Sequence, residues 1–216
     1  MTCPAAFFDL DGTLLRKPSC ESRFFFFLYQ KKYLGLAQIS AGLRFYFRWF
    51  SQFGRDTGRK NKAFYSGLST QQLEDLGRQW VGDNLARLIQ TEIANHIETC
   101  KLGGYTLVLM TGAPDFIAAP VAQALGMDTF IATECVVEDG FYTALPPRQH
   151  PLAEEKLLLA EAWCNKNNVE LKKCTAYGDS HQDYALLREV SRPYAINPDR
   201  RMKKLAANAK WPIITT

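Results

Sequence analysis

The stretch Phe7-Phe8-Asp9-Leu10-Asp11-Gly12-Thr13-Leu14-Leu15 decides how the rest of the chain is interpreted. The apolar residues before Asp9 are typical of a strand that is buried on both faces of a parallel sheet. Asp9 and Asp11 follow directly, and Gly12 permits a tight turn. Because open α/β sheets bind ligands at the carboxyl ends of their strands, we expect a site here. Two neighbouring carboxylates repel each other unless a cation lies between them, and their oxygens suit Mg²⁺.

Composition limits the class of protein. The chain has 216 residues, enough for one domain with an insertion, and its 47% hydrophobic and 22% charged residues are ordinary globular values. The net charge of +4 fits small anionic substrates and is too weak to indicate nucleic-acid binding. The six Cys show no C-x-x-C spacing, and the predicted strand begins near Ala5 with no signal peptide before it. We therefore expect reduced thiols and a cytoplasmic location.

The order of patterns along the chain predicts the architecture. Residues 18–95 show helical patterns and no strand pattern, whereas strands and helices alternate after them. This alternation predicts an α/β fold with a doubly wound parallel sheet. The predicted domains are a core of residues 1–17 and 96–216 and a helical cap of residues 18–95 inserted into it.

Local signals add detail to this framework. Ser69-Thr70-Gln71-Gln72 is typical of a helix start, and Asp139-Gly140 predicts a hairpin turn. The run of residues 192–197 is predicted to be the last strand of the sheet.

Polar side chains follow three of the predicted strands, and a lysine lies in the helix between the second and the third. These residues are Asp9, Asp11, Thr111, Gly112, Lys156, Asp179 and Asp183. Each has an ordinary alternative. Thr111 could cap a helix, Lys156 could be a solvated helix lysine, and Asp179-Ser180 could be a simple turn. Asp9 and Asp11 could likewise belong to a solvated turn after a strand.

In this order, the residues resemble the four motifs of the haloacid dehalogenase (HAD) superfamily of phosphotransferases. Over essentially the whole chain the resemblance is to subfamily IB hydrolases related to phosphoserine phosphatase. It implies a HAD-like Rossmannoid core with a helical cap between the first and second motifs. It also implies a Mg²⁺-dependent phosphomonoesterase that acts on a small organic phosphate ester through an aspartyl-phosphate.

The resemblance also implies catalytic roles. Asp9 would be the nucleophile that forms the aspartyl-phosphate. Asp11 would protonate the leaving alcohol and then deprotonate the attacking water. An Asp at this position separates the phosphatases of the superfamily from its ATPases and dehalogenases, so hydrolysis is the expected reaction. Lys156 would offset the negative charge of Asp9 and of the phosphate.

The remaining implied roles concern phosphate and metal. The Thr111 hydroxyl and the Gly112 amide would hold a phosphoryl oxygen together with Lys156. Asp179 would ligate Mg²⁺, and Asp183 would support it or orient Lys156. The backbone carbonyl of Asp11 would complete the protein ligands. The implied metal ligands are therefore Asp9, Asp11 and Asp179.

The predicted cap carries an aromatic stripe with two interpretations. Its apolar members fall on one helical face and are Leu36, Ile39, Leu43, Tyr46, Phe47 and Phe50. Arg44, Arg48 and Gln52 lie together on another face. The stripe is either the core of the cap, as such stripes usually are, or the apolar face of a basic amphipathic helix that contacts a membrane surface. The second interpretation would suit a phosphatase of lipid phosphates such as phosphatidylglycerophosphate.

Two further alternatives to a phosphatase stay open at the level of sequence. The expected partner is a small-molecule phosphate ester. A non-catalytic HAD-like binding protein would keep the fold without the reaction, and a phosphotransferase would pass the phosphate to another alcohol instead of water. The oligomeric state is not predicted.

Overall fold

The first strand, β1 (Ala5–Phe8), is completely buried and lies inside a six-stranded sheet. The computed structural model describes residues 3–216, so residues 1 and 2 of the predicted core lie outside the described part. The other strands are β2 (Thr106–Pro114), β3 (Thr129–Thr133), β4 (Val137–Glu138), β5 (Phe141–Tyr142), β6 (Thr175–Gly178), β7 (Arg192–Ile196) and β8 (Ile213–Ile214).

The strand order of the sheet is β3-β2-β1-β6-β7-β8, and all its pairings are parallel. The chain builds outward from β1 to β3 on one side and from β6 to β8 on the other. The order therefore reverses between β1 and β6, where doubly wound sheets form their binding crevice. The predicted fold class, an α/β doubly wound parallel sheet, is confirmed.

Helices cover both faces of the sheet because successive side chains of β1 point to opposite faces. Phe8 stacks on Tyr177 of β6 with ring centroids 4.4 Å apart, while Phe7 meets the edge of Trp163 on the opposite face at 5.8 Å. The first face is covered by α1 (Cys20–Gln30), α4 (Thr70–Leu88), α5 (Thr91–Leu102) and α6 (Asp115–Ala124). The second is covered by α7 (Glu154–Lys166), α8 (Tyr184–Leu187) and α9 (Arg200–Asn208).

The segment between β1 and β2 is helical, and its middle and its last part contact different elements. Helix α2 (Leu36–Phe53) packs with the short α3 (Thr57–Lys60) and with residues 63–65. Helix α4 packs on α6, and α5 packs on β2. The predicted boundary at residues 95 and 96 lies within α5. The division into core and cap stays a prediction.

Two of the local signals are confirmed and one prediction is wrong. Ser69 Oγ accepts a hydrogen bond from the Gln72 N–H at 3.1 Å and caps α4. Asp139 and Gly140, with φ of 49° and 80°, form the turn between β4 and β5. The strand at residues 192–196 is not the last, because β8 pairs with it. With only two residues, β8 is too short to show an alternating pattern.

The aromatic stripe of α2 is exposed, so the interpretation that it forms the core of the cap is wrong. Leu36 and Phe47 are 87% and 80% exposed. The helix buries a neighbouring face instead, which carries Ala41, Gly42 and Phe45. The helix buries the face that carries Gly42 because the absence of a side chain there lets the Phe64 ring approach. A Cβ on Gly42 would lie 2.1 Å from a carbon of that ring.

Within residues 3–216, no helix combines the length and the apolar character that crossing a bilayer requires.

The contact between α4 and α6 predicts opposite effects for two glycines of one helix. A Cβ on Gly77 would lie 2.0 Å from the Phe116 carbonyl oxygen, whereas a Cβ on Gly82 meets nothing within 4 Å. We expect Gly77→Ala to lower the free energy of unfolding by about 1–3 kcal/mol through overpacking. Gly82→Ala should raise it by roughly 0.5–1 kcal/mol, since alanine favours the helix. Denaturant unfolding measures both, and equal effects would contradict the packing described.

Candidate active site

The predicted site residues line one cavity of about 320 Å³ at the carboxyl ends of the central strands. A larger cavity of about 660 Å³ lies beside β3 and α7, but none of the predicted residues lines it. The predicted residues that line the smaller cavity are Asp9, Asp11, Thr111, Gly112, Lys156 and Asp179. Asp183 lies behind them, in contact with Lys156. The topology brings these residues together because parallel strands end at one edge of the sheet.

Lys156 is buried between two carboxylates. Its Nζ lies 2.6 Å from Asp9 Oδ1 and 2.5 Å from Asp183 Oδ1, and the residue is only 4% exposed. Burial lowers the pKa of the Lys156 ammonium, but Asp183 and Asp9 outweigh it, so the net shift is upward. Lys156 is therefore charged at neutral pH, and the alternative of a solvated helix lysine is wrong.

Asp183 is held so that it orients Lys156. Its Oδ2 accepts hydrogen bonds from the Ser180 N–H at 3.0 Å and the Ser180 hydroxyl at 3.1 Å, while Oδ1 faces Lys156. Gly178 permits this position, since a Cβ there would lie 2.5 Å from the Asp183 Cβ. Both oxygens of Asp183 are thus engaged with protein groups, which suits a positioning role.

Three carboxylates lie close enough to hold one cation. Oxygens of Asp9, Asp179 and Asp183 lie within 4.8 Å of one another. Oδ2 of Asp179 is buried and makes no hydrogen bond of good geometry within the described residues, although the ammonium of Lys17 lies 2.6 Å away. Burial and Asp183 raise the pKa of Asp179 to about 6. The oxygens of Asp9 and Asp179 in this cluster are hard donors that fit Mg²⁺, while both oxygens of Asp183 are engaged with Lys156 and Ser180.

Gly12 allows the turn after β1 to approach this cluster. Its φ of +95° lies in the region that favours glycine, and a Cβ there would lie 2.2 Å from Asp179 Oδ2. Any side chain at this position would push the turn away from β6.

The Asp11 carboxylate faces the first helix of the insert. Its Oδ1 accepts a hydrogen bond from the Cys20 N–H at 2.7 Å, and Oδ2 lies 3.4 Å from Cys20 Sγ. Burial raises the pKa of Asp11 above its usual range, against the lowering effect of the hydrogen bond from Cys20. A carboxyl group with a raised pKa is suited to give and take a proton near neutral pH.

Thr111 and Gly112 belong to the end of β2, which runs on to Pro114 before α6 begins. The alternative that Thr111 caps a helix is therefore wrong. Its Oγ1 accepts a hydrogen bond from the Ala113 N–H at 3.0 Å, which leaves its hydrogen available for a ligand. The Gly112 carbonyl is held by the Thr133 hydroxyl at 2.7 Å.

Several cavity residues were not predicted from the sequence. They are Lys17, Glu21, Arg59, Lys62 and His150. Lys62 is buried and forms an ion pair with Glu21 of α1, and Tyr65 Oη lies 3.2 Å from the same carboxylate. The basic residues around Lys62 are visible in the sequence. The contact of Lys62 with Glu21 of α1 joins residues that are far apart in the chain, so it could not be predicted.

His181, in the motif loop after β6, does not line the cavity. Its backbone N–H and its Nδ1 each lie 3.2 Å from Asp199 Oδ2. Asp199 also caps α9 by accepting from the Met202 N–H at 2.7 Å. His181 therefore ties the loop to α9.

Curated relatives match nearly the whole chain. A protein of Streptomyces azureus named inhibition of morphological differentiation protein is 30% identical over 219 residues, covering 97% of this chain and 77% of the relative. A phosphoserine phosphatase of Mycobacterium tuberculosis is 28% identical, covering 97% and 70%. A histidinol-phosphatase of Neisseria meningitidis is 26% identical, covering 97% of each chain.

Solved structures share the fold. A protein of unknown function from Bordetella pertussis superposes with a TM-score of 0.82 at 23% identity, covering 99% of each chain. A phosphoserine phosphatase holding an analogue of its phospho-aspartyl intermediate superposes with a TM-score of 0.62 at 17% identity, covering 100% of this chain and 94% of that one. The family model of haloacid dehalogenase-like hydrolases matches residues 6–188. This chain belongs to the haloacid dehalogenase-like hydrolase family.

Proposed function

We propose that the protein is a Mg²⁺-dependent phosphomonoesterase that hydrolyses a small organic phosphate ester through an aspartyl-phosphate on Asp9. The observation that carries the proposal is the buried Lys156 ammonium 2.6 Å from Asp9 in a cavity that Thr111 and Gly112 also line. A phosphate monoester is repelled by an anionic nucleophile unless nearby cations and donors offset its charge. The names of the phosphoserine and histidinol phosphatase relatives agree with this class of substrate.

The first half of the reaction forms the enzyme–phosphate bond. A carboxylate oxygen of Asp9 attacks phosphorus, and the bond between phosphorus and the ester oxygen breaks. The carboxyl group of Asp11 gives its proton to the departing alcohol. Lys156, the Gly112 N–H and the Thr111 hydroxyl stabilise the negative charge on the phosphoryl oxygens.

The second half restores the enzyme. The Asp11 carboxylate takes a proton from a water molecule, whose oxygen attacks phosphorus and breaks its bond to Asp9. Inorganic phosphate leaves, and Asp11 is again protonated. Asp11 can serve in both halves because it stands two residues from the nucleophile and hydrogen-bonds to Cys20 rather than to Lys156.

Mg²⁺ held by Asp9, Asp179 and the Asp11 carbonyl would neutralise charge on the phosphoryl group. Asp183 is not one of these ligands, and its role is to hold Lys156 in place.

We propose that residues 18–95 form the specificity cap for this site. In support, the insert supplies Ser19, Glu21, Arg59 and Lys62 to the same cavity as the core residues. The ion pair between the buried Lys62 and Glu21 joins the loop after α3 to the start of α1 at the cavity wall. Caps of this kind exclude water during the reaction.

A lipid phosphate at a membrane surface is a second candidate substrate, and the exposed stripe of α2 favours it. Phe26 and Tyr29 of α1 are further large apolar side chains that are more than half exposed. Residues 22–55 contain six basic and no acidic residues, so the surface complements an anionic membrane. Exposed Arg44 and Arg48 flank the stripe, as expected for a helix lying in a lipid interface.

The hydrolase proposal predicts the effect of one substitution at the nucleophile. Phosphate release from a panel of esters (phosphoserine, histidinol phosphate, sugar phosphates and detergent-dispersed phosphatidylglycerophosphate) should require Mg²⁺. Asp9→Asn should reduce it at least about 1000-fold, because the amide is a poor nucleophile. Asp139→Asn is the matched control, since it makes the same change in an exposed turn where Asn is well tolerated.

Unchanged activity in Asp9→Asn would refute the mechanism. No release from any ester would favour the non-catalytic binding protein. Loss of substrate without matching phosphate release, when glycerol is added, would indicate transfer to an alcohol.

The membrane hypothesis predicts binding to vesicles. The double variant Leu43→Ser/Phe47→Ser should weaken binding to phosphatidylglycerol vesicles at least about 10-fold, since two apolar side chains no longer enter the lipid. Arg44→Gln/Arg48→Gln should weaken it roughly 10- to 30-fold for anionic vesicles and leave phosphatidylcholine vesicles unaffected.

Leu158→Ser is the matched control for the apolar variant, because Leu158 is equally exposed on α7, across the sheet. Vesicle sedimentation measures binding. If the protein does not bind vesicles but forms a dimer that Leu43→Ser/Phe47→Ser dissociates, the membrane hypothesis is wrong. The stripe of α2 would then be an interface between two copies of the chain.

A further inference from the structure

His150 brings an unpaired hydrogen-bond acceptor to the wall of the proposed active site. The residue lies between β5 and α7, is only 3% exposed and lines the cavity that contains Asp9 and Lys156. Its Nε2 is buried and has no hydrogen-bond partner within the described residues. The ring lies against Gly112, where a Cβ would be 3.3 Å from Cε1 and 3.9 Å from Nε2.

The hydrogen bonds of Thr133 determine the tautomer of this ring. Thr133 Oγ1 lies 2.7 Å from the Gly112 carbonyl oxygen and 2.7 Å from His150 Nδ1. A carbonyl only accepts, so the single hydrogen of the hydroxyl is donated to Gly112. The hydroxyl oxygen must then accept from Nδ1–H, and Nε2 carries the lone pair.

The surroundings keep His150 neutral. Burial lowers its pKa to about 3, and Lys62, Lys60 and Lys156 act in the same direction. Nε2 therefore stays a bare acceptor at every pH at which the enzyme would work. A buried acceptor without a partner is unfavourable, which points to a donor that arrives with the ligand.

The chemistry of that donor follows from the charges around it. Oxygens of a phosphoryl dianion only accept hydrogen bonds, so they cannot satisfy Nε2. The ammonium groups of Lys62 and Lys156, which line the same cavity and disfavour positive charge at His150, also disfavour an ammonium donor at Nε2. A neutral hydroxyl donates without adding positive charge, and the site beside Gly112 places it near the phosphate.

We propose that His150 determines specificity by accepting, at Nε2, a hydrogen bond from a neutral hydroxyl group on the alcohol part of the substrate. The site would accordingly prefer phosphate monoesters of polyols to those of simple alcohols or amino alcohols. This inference rests on the proposed phosphatase function and narrows its substrate class.

Three esters of one length test the proposal: 2-hydroxyethyl phosphate, propyl phosphate and 2-aminoethyl phosphate. For the unmodified protein we expect kcat/KM to be about 10-fold higher for the hydroxyl ester than for either of the others. p-Nitrophenyl phosphate serves as a general substrate that reports the chemistry alone.

Two variants distinguish a role of His150 in substrate specificity from a role in holding the backbone at Gly112 in place. In His150→Asn the amide nitrogen replaces Nδ1 and keeps the bond to Thr133 while the acceptor at Nε2 is lost. It should reduce the hydroxyl preference to within about twofold, and it should lower kcat/KM for the hydroxyl ester more than kcat/KM for p-nitrophenyl phosphate. His150→Gln places an amide oxygen near the Nε2 position and should restore part of the preference. A merely structural histidine would instead affect all substrates alike.

The outcomes distinguish the inference from the function on which it rests. Turnover of p-nitrophenyl phosphate with no hydroxyl preference overturns the role of His150 and leaves the phosphatase standing. No turnover of any ester overturns both. Nitrogen NMR of the histidine rings gives an independent check, since a hydrogen on Nε2 of His150 at neutral pH would also overturn the inference.

Discussion

The site depends on one buried ammonium group. Lys156 lies between Asp9 and Asp183, and a third carboxylate, Asp179, is close by. Without a cation, three carboxylates within 4.8 Å of one another would not stay ionised in a buried position. Lys156 supplies one positive charge from the protein, and the negative charge that remains on the three carboxylates suits a divalent metal ion. The two carboxylates in turn keep the lysine charged.

The fold serves this arrangement by bringing distant parts of the chain to one edge of the sheet. Asp9 follows β1, Asp179 follows β6, and Lys156 reaches them from α7. The order of strands reverses between β1 and β6, which opens the crevice there. Two glycines, Gly12 and Gly178, let the turns approach the carboxylates. The helical segment between β1 and β2 contributes Glu21 and Lys62, which form an ion pair, to the wall of the same cavity.

The sequence predicted the parts that depend on local order and not those that depend on distant packing. The central strands and the residues at their ends were predictable, because parallel strands must end at the same edge. His150 was not, since its position depends on Thr133 and Gly112, which are far away in sequence. The sequence left the stripe of α2 with two interpretations because the helix has two apolar faces, and only the contact of Gly42 with Phe64 decides which face is buried.

The most direct test of the account does not require knowledge of the substrate. Beryllofluoride with Mg²⁺ mimics a phosphoryl group on an aspartate, and fluorine NMR detects the bound form. The account predicts a bound signal for the unmodified protein that disappears when the metal is chelated and is absent in Asp9→Asn. A bound signal that survives in Asp9→Asn, or none in the unmodified protein with Mg²⁺, would contradict the assignment of Asp9 as the nucleophile of a Mg²⁺-dependent phosphatase.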